Sequence, residues 1–375
     1  MTTATKERKK ARAGGTTLPT ESLKRALAEV AAAVPSRHAK PVLCNVLLSN
    51  GECTATDLQL KVSAELPWAG EPLLLPHARL RAIVNECRSE EITIKADGTV
   101  AEICAGSGTW RLPVEDAAEF PTWEPDATTF IRVPCDQFVR AVRSVVYATD
   151  DESSRYALGA VLLEVKDNTL TLVATDGRRL ACVEIDPAEE QNVDDRNVLV
   201  PSHALATMAS IAAGNPDSAV QLDATPSEVV ATIDGAIVTA RQIDGRFPRW
   251  RDVFPKREAT PSVVNVQELL SATKAAAIVA TENSKGIDYT FSADGIWLHG
   301  QSAESGESSI TCDIVTFGQK ATTKLDPLFV KQCLQALIAA KCKPEIEINV
   351  VDHDSAVVLT CDNVRAVIMP LAKDA

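Results

Sequence analysis

The segment LLLPHARLRAIVNEC, residues 73–87, leads from a short apolar strand through a proline into an amphipathic helix. The same phrase returns as VLVPSHALATMASIA at 198–212 and as TKLDPLFVKQCLQALIAA at 323–340. Its prolines, Pro76, Pro201 and Pro327, are spaced by 125 and then 126 residues. A fixed period of this kind indicates that one structural unit is built three times.

Each copy also has an earlier helix. These helices are LPTESLKRALAEVAAAV from Leu18, VPCDQFVRAVRSVVYAT from Val133 and VNVQELLSATKAAAIVA from Val264. Prolines lie near the first turn of two of them, and the candidates for N-terminal capping are Thr20, Asp136 and Asn265. Each repeat is therefore expected to contain two helices.

Short alternating apolar stretches bounded by Gly, Asp and Asn fill the rest of each repeat, as in VLLEVKDNTLTLVATDG at 161–177. Such stretches are typical of antiparallel hairpins. The sequence predicts an α+β protein made of three repeated domains, each with two helices and antiparallel sheets. The predicted boundaries are 18–127, 128–256 and 257–375, preceded by a disordered basic arm at 1–17.

Composition excludes several classes of protein. The chain has 375 residues, of which 45% are hydrophobic and 24% charged, enough for several cores. It shows no apolar run long enough to span a bilayer and no secretion signal, so no membrane partner and a cytoplasmic location are expected. The ten cysteines form no CxxC pair and the five histidines no metal-binding spacing, which favours reduced core cysteines and neither metal nor cofactor.

The net charge is −13, which ordinarily counts against nucleic acid as a partner. The predicted helices nevertheless carry basic faces opposite their apolar stripes. One reading is that these bases form a phosphate-facing surface, and the other is that they are ordinary solvated side chains. The helix from Leu205 to Ala213 has no Lys or Arg and weakens the first reading.

The stretch LTLVATDGRRLA at 170–181 allows three readings. Asp176 could be a catalytic carboxylate, Arg178 and Arg179 could bind phosphate, or the segment could be a hairpin turn. A similar phrase, CTATDLQLKVSAEL, surrounds Asp57 in the first repeat, and turn chemistry accounts for both aspartates. An enzyme using Asp57, Asp176 or Asp244 remains an alternative, although no Ser-His or Cys-His set completes such a site.

Three motifs now carry a resemblance to a known family. VATDGRRLA at 173–181, IDGRFPRWRDVFP at 243–255 and AVIMPL at 366–371, in this order on a three-repeat chain, resemble the bacterial DNA polymerase III β subunits, or β sliding clamps. The resemblance runs from Leu18 to Leu371. It implies a non-catalytic processivity factor, a head-to-tail homodimer of three-domain protomers whose helices line a ring around double-stranded DNA.

The resemblance implies two surfaces on this chain. The DNA-facing residues would be Lys24, Arg25, Arg37, Arg79, Arg81, Arg140, Arg143, Tyr156, Lys274 and Lys331. A pocket for partner peptides would be lined by Leu158, Thr175, Leu180, Pro248, Val253, Val367 and Met369, with Arg155, Gly177, Arg178, Arg179, Pro370 and Leu371 beside them. Its expected partners are the polymerase III alpha subunit, the clamp loader, and other polymerases and repair proteins with clamp-binding motifs.

The resemblance also implies a dimer seam. Trp110 and Leu112 of the first repeat would pack against Ile278 and Val279 of the third repeat in the other protomer. The alternative is that all four residues belong to the core of their own domain.

Several positions depart from the family pattern. Arg178 stands where His is common, Asp252 where Arg is common, Glu152 where an amide is common, and Ala372 begins a tail in place of a terminal Arg. These departures leave open a clamp-like paralogue that acts as a protein-binding module with other partners. The arm at 1–17 could touch DNA or be only a solvated leader.

Overall fold

The computed structural model describes residues 15–124, 126–150, 157–187, 194–257, 259–280 and 286–371. The chain divides into two units: residues 1–128 with 221–241, and residues 129–220 with 242–375. In the described ranges, no helix has the length and apolar character needed to cross a membrane. The second sequence repeat contributes residues to both units.

The first unit contains two helices, α1 (Thr20–Glu29) and α2 (His77–Glu86). Its strands are β1 (Thr16–Pro19), β2 (Asn45–Ser49), β3 (Glu52–Thr56), β4 (Leu60–Glu65), β5 (Leu73–Pro76), β6 (Glu91–Asp97), β7 (Val100–Ala105), β8 (Gly108–Pro113), β14 (Ala219–Ala224), β15 (Glu228–Ile233) and β16 (Ala236–Arg241). They form one sheet in the order β1-β6-β7-β8 and another that runs β5-β2-β3-β4-β16-β15-β14.

The second unit contains four helices, α3 (Cys135–Val145), α4 (Ser202–Ala213), α5 (Val266–Ala276) and α6 (Pro327–Ala339). Its strands are β9 (Thr128–Pro134), β10 (Ala160–Lys166), β11 (Thr169–Thr175), β12 (Arg179–Ile185), β13 (Arg196–Pro201), β17 (Ser262–Asn265), β18 (Ile287–Ser292), β19 (Gly295–Ser302), β20 (Gly306–Cys312), β21 (Ala321–Leu325), β22 (Glu345–Asn349), β23 (Val357–Cys361) and β24 (Val364–Ile368). An eight-stranded sheet has the order β13-β10-β11-β12-β24-β23-β22-β17, and a four-stranded sheet the order β20-β19-β18-β21.

The predicted α+β class is confirmed, and the strands pair in antiparallel fashion, as in β10 with β11, β12 with β24, β4 with β16 and β19 with β20. Leu23 and Leu27 of α1 are fully buried, as the apolar stripe of the sequence predicts. Burial of such a side chain contributes about 2 kcal/mol. The ring nitrogen Nε2 of His77, at the start of α2, lies 2.9 Å from the carbonyl oxygen of Leu27 and ties the two helices together.

Only one of the three predicted caps is confirmed. The side chain of Asn265 accepts hydrogen bonds from the backbone N–H groups of Gln267 and Glu268. Thr20 and Asp136 lie inside the first turn instead, because Pro19 and Pro134 occupy the capping positions and have no side-chain acceptor. Helix α6 is capped by Asp326, which accepts from the N–H of Leu328 at 2.8 Å.

Two strand pairs join different repeats into one sheet. In the first unit β16 pairs with β4, and in the second unit β24 pairs with β12. The strand–proline–helix period of the sequence locates the three repeats. It does not predict that strands of different repeats pair with each other in one sheet. The start of the chain also differs from expectation: β1 begins at Thr16, within the predicted arm, and residues 1–14 lie outside the described ranges.

Candidate peptide-binding site and nucleic-acid interface

The segment between β11 and β12 is a turn built on the side chain of Asp176. Its Oδ1 atom accepts hydrogen bonds from the N–H groups of Arg178 at 2.8 Å and Arg179 at 2.9 Å. The hydroxyl of Thr175 donates to the carbonyl of Arg179 at 2.6 Å and accepts from the N–H of Gly177 at 3.1 Å. Gly177 has a φ of 85°, a backbone conformation that glycine adopts without strain. Asp176 therefore serves the turn.

The first repeat contains the same turn. Oδ1 of Asp57 accepts from the N–H groups of Gln59 at 2.8 Å and Leu60 at 2.7 Å, and the hydroxyl of Thr56 donates to the carbonyl of Leu60 at 2.8 Å. Leu58 takes the place of the glycine with a φ of 77°. The likeness between the two phrases in the sequence thus reflects a shared backbone conformation.

Arg179 differs from its neighbour in being buried. Its Nε atom lies 2.9 Å from Oδ2 of Asp176, and both side chains are only 9% exposed. The guanidinium also bonds to Gln332 and lies over the ring of Phe329, 4.6 Å from its centroid. Arg179 therefore fastens the turn to helix α6 rather than offering its charge to solvent.

The ring of Tyr147 lies under the same guanidinium, 5.3 Å away. Burial raises the pKa of Tyr147 well above its ordinary value, and the neighbouring thiol of Cys333 adds to this effect. Burial likewise raises the pKa of Cys333 to about 11. The arginine thus faces neutral, polarisable groups, with Asp176 as its counter-charge.

The last strand of the chain lies beside this turn. Strand β24 pairs with β12 so that Leu180 faces Val367, and the N–H of Met369 donates to the carbonyl of Arg178 at 2.9 Å. On its other side β12 pairs with β11, where Thr175 lies opposite Leu180. Residues from distant parts of the chain thus meet at one end of the eight-stranded sheet.

Three of the predicted pocket residues belong to one apolar cluster, and a fourth lies beside it in the sheet. Leu180 and Val367 are buried in a cluster around Trp250, and Val253 packs against that cluster. Thr175 is buried next to Leu180 in the sheet. The pattern in the sequence did not identify two aromatic neighbours, Trp250 and Phe254, whose rings meet edge to face at 6.3 Å. The aromatic residues of the IDGRFPRWRDVFP motif are the feature of the sequence that could have identified these two neighbours.

The remaining pocket candidates lie at different depths. Met369 is 40% exposed, while Pro370, Pro248 and Leu158 are half-buried. Leu371 turns toward β21, where its N–H donates to the carbonyl of Lys324 at 2.8 Å. Arg178 is exposed, with its guanidinium 5.2 Å from the ring centroid of Phe329. Arg155 and two of the departing positions, Glu152 and Ala372, lie outside the described residues.

In the first unit, the candidate DNA-facing bases differ in whether a neighbouring carboxylate pairs with their charge. The ammonium of Lys24 lies 2.8 Å from Glu21, and the guanidinium of Arg25 lies 3.8 Å from Glu29. Arg37, Arg79 and Arg81 are exposed, the latter two on helix α2. The charge of α1 is thus partly offset within its own helix, and α2 carries the more available bases.

In the second unit, Arg143 and Lys274 are exposed on α3 and α5, and Lys331 is half-buried on α6. Arg140 is held more tightly than its position on the helix suggests. Its Nε donates to the carbonyl of Ala340 at 3.2 Å, and its Nη2 lies 3.8 Å from the carboxylate of Asp362. Tyr156 lies outside the described residues.

The predicted seam residues fall into two kinds. Leu112 is 8% exposed and belongs to the core of its own unit, which is the alternative that the sequence left open. Trp110 is half-buried because its ring lies over Gly108 of the same strand. Ile278 is 81% exposed and so is no core residue, and Val279 is half-buried. Strands β8 and β20 are the edges of their four-stranded sheets.

The two matched turns allow the ion pair of Asp176 to be measured. We expect Asp176→Ala to lower the free energy of unfolding by about 3 kcal/mol or more, because it removes an acceptor of two N–H groups and leaves the Arg179 charge buried. Asp57→Ala removes the equivalent backbone acceptor alone and should cost about 1–2 kcal/mol. Urea denaturation of both variants is the measurement, and equal losses would show that the Arg179 pair contributes nothing.

Comparison with known proteins places this geometry in a family. Three family models match in succession: the N-terminal domain of the DNA polymerase III beta subunit at residues 16–124, its central domain at 132–249 and its C-terminal domain at 251–372. A beta sliding clamp of Synechococcus elongatus is 26% identical over 355 residues, covering 90% of this chain and 93% of the relative. One from Pseudomonas putida is 29% identical over 303 residues, covering 78% and 82%.

Solved structures agree on the fold. The DNA polymerase sliding clamp of Pseudomonas aeruginosa with ligand superposes with a TM-score of 0.86 at 25% identity, over 96% of this chain and all of that one. The DNA polymerase III beta subunit of Thermotoga maritima gives a TM-score of 0.87 at 22% identity with the same coverage. The predicted three-domain clamp fold is thereby confirmed. Because three consecutive domains match most of its length, the chain belongs to the DNA polymerase III beta subunit family, the bacterial sliding clamps.

Proposed function

We propose that the protein is a DNA sliding clamp, a processivity factor that encircles duplex DNA and tethers replication proteins to it. The observation that carries this proposal is the succession of three beta-subunit domains along residues 16–372. The charge distribution supports it. A chain with a net charge of −13 places bases on α1, α2, α3, α5 and α6.

This distribution fits sliding better than sequence recognition. Exposed Lys and Arg on helices attract phosphates through a screened, sequence-independent interaction, while the acidic remainder of the surface repels DNA. Specific readout would need side chains that reach base edges. A non-catalytic role also fits the turns, because Asp57 and Asp176 are already occupied as acceptors of backbone N–H groups.

The apolar group around Leu180, Val253 and Val367 supports a peptide-binding role for the second unit. Such a group supplies a firm floor against which aliphatic side chains of a partner can bury, and the exposed Met369 provides adjustable contact. The expected occupants are the polymerase III alpha subunit, the clamp loader, and other polymerases and repair proteins. Asp252 is exposed beside this group and brings a negative charge to its rim.

Two of the sheet edges support a head-to-tail homodimer. Among the described residues, strands β8 and β20 each have no strand neighbour on one side, and such edges are ready sites for pairing with another chain. Ile278 follows α5 close to β20 and places an apolar side chain in solvent. A second protomer that covers Ile278 and completes both edges would close a ring.

Retention on circular DNA is the decisive experiment for the clamp function. With a matched clamp loader, we expect the protein to stay on nicked circular plasmid through gel filtration at moderate salt and to leave it once the plasmid is linearised. The physical reason is that a ring escapes only at an end. A dimer that fails to stay on circles with a competent loader would favour the alternative, a clamp-like paralogue acting as a protein-binding module.

The dimer seam can be tested at its most exposed residue. Ile278→Glu should convert the dimer to a monomer at low micromolar concentration, because a carboxylate would be buried in the seam. The matched control is Trp297→Glu, which puts the same charge on another exposed apolar position, 48% exposed, of strand β19. Light scattering distinguishes the two variants, and an unchanged Ile278→Glu dimer would contradict the seam.

The pocket can be tested with a peptide from the clamp-binding segment of the alpha subunit. Met369→Asp should weaken its binding at least tenfold, because the variant replaces an apolar contact with a charge that must lose its hydration. The control is again Trp297→Glu, which should bind normally. Fluorescence anisotropy measures the affinity, and full affinity in Met369→Asp would remove this residue from the pocket.

A further inference from the structure

Two cysteines meet where helix α6 ends and the hairpin of β23 and β24 begins its turn. The sulfur atoms of Cys342 and Cys361 lie within 4.8 Å of each other, together with a carboxylate oxygen of Asp362. Cys361 is buried and Cys342 is half-buried. They are separated along the chain and have no CxxC spacing, so the sequence alone predicts no relation between them.

The backbone holds both residues in place. Lys341 has a φ of 55°, a left-handed conformation that ends the helix, and the N–H of Cys342 donates back to the carbonyl of Leu337 at 3.0 Å. Cys361 is the last residue of β23 and pairs with Val364. Its thiol lies 3.5 Å from the carbonyl of Lys343, the residue after Cys342. The two side chains are therefore presented to each other by ordered elements.

The surroundings of the pair favour a thiolate at Cys342. The neighbouring Cys361 thiol lowers the pKa of Cys342 most and Arg140 lowers it further, against the opposing effects of burial and of the Asp362 carboxylate. The neighbouring Cys342 sulfur and burial raise the pKa of Cys361, whose thiol donates toward the carbonyls of Lys343 at 3.5 Å and Glu345 at 3.4 Å. Cys342 thus has the character of an attacking thiolate, while Cys361 remains a protonated thiol.

Solvent can reach the half-buried member. Cys342 lines a cleft of about 190 Å³ together with Arg140, Ser144, Glu184 and Asn363. A small neutral oxidant would fit such a space, which is several times the volume of a water molecule. Cys361 lies behind it in the sheet and is shielded from direct attack. An oxidant from solvent can therefore reach Cys342 but not Cys361.

We propose that Cys342 and Cys361 form a peroxide-oxidisable thiol pair that closes to an intramolecular disulfide. Hydrogen peroxide oxidises the Cys342 thiolate to a sulfenic acid and releases hydroxide. The sulfur of Cys361 then attacks that of Cys342, so an S–S bond forms, the S–O bond breaks and water leaves with the proton of Cys361. In sum, two thiols and one hydrogen peroxide give one disulfide and two waters.

The third donor atom does not make this a metal centre. The carboxylate of Asp362 accepts from the N–H of Lys343 at 3.1 Å and lies 3.2 Å from the ammonium of Lys343 and 3.8 Å from Arg140. Arg140 and Lys343 already pair with this carboxylate, and their charges repel a divalent ion. Arg140 also lowers the pKa of Cys342, which favours the thiolate and its oxidation.

The sequence provides a direct readout of the disulfide. Trypsin cleaves after Lys341 and Arg365 but not before Pro344, so one peptide, residues 342–365, carries both cysteines and no other. The full chain is treated with hydrogen peroxide, quenched, unfolded with an alkylating agent and digested. We expect this peptide to lose two hydrogen atoms and to escape alkylation, while Cys312, a buried thiol whose pKa burial raises to about 11, is alkylated normally.

Two variants complete the test. In Cys342→Ser the remaining Cys361 should stay alkylatable after the same treatment, and Cys312→Ser should leave formation of the disulfide unchanged. The proposal is overturned if the wild-type peptide is alkylated at both cysteines, if Cys342 is oxidised without a crosslink, or if a non-reducing gel shows crosslinked chains instead. Stoichiometric zinc binding by the reduced protein that is lost in Cys342→Ser would also overturn it.

Discussion

The pairing of β12 with β24 is the constraint on which the rest of the second unit depends. It joins a strand of the second repeat to the last strand of the chain, with Leu180 opposite Val367. This one ladder extends two four-stranded halves into an eight-stranded sheet and brings Met369 to the turn after β11. Without it, the apolar group around Trp250 would have no wall on the β24 side.

The turn between β11 and β12 is stabilised by buried contacts with helix α6. Asp176 organises the backbone of the turn, and Arg179 carries that order to α6 through Phe329 and Gln332. A binding surface made of short loops gains precision when its residues are fixed by buried contacts of this kind. The exposed Arg178 and Met369 are then presented by a rigid frame, and partner peptides do not have to order it.

The sequence predicts the repeats, the class of fold and the hairpin turns because each depends on local patterns. Periodic apolar residues and Asp-Gly turns are visible in a dozen residues, and the likeness of Asp57 and Asp176 proves to be one backbone conformation. The local pattern also predicts Asn265 as an N-terminal helix cap. Thr20 and Asp136 are the first and second residues of their helices rather than caps, because Pro19 and Pro134 occupy the capping positions.

What could not be predicted is set by distant contacts. Only the fold shows that Arg179 is buried, that Leu112 is a core residue, and that Cys342 approaches Cys361. The resemblance to a family supplied the pocket residues, and the structure brings Thr175, Leu180, Val253 and Val367 together. Trp250 was missed because a tryptophan in a Pro-rich segment is not by itself a sign of a buried centre.

The pairing of strands from different repeats also has a consequence for the chain while it is being synthesised. During synthesis β12 emerges long before β24, so an emerging second repeat has an open strand edge until β24 has been made. The edge formed by β4 waits in the same way for β16, over a similar length of chain. Such edges pair readily with other chains. The growing polypeptide is thus exposed to misassembly until β24 has been made, and a chain truncated before β24 would leave the eight-stranded sheet unfinished.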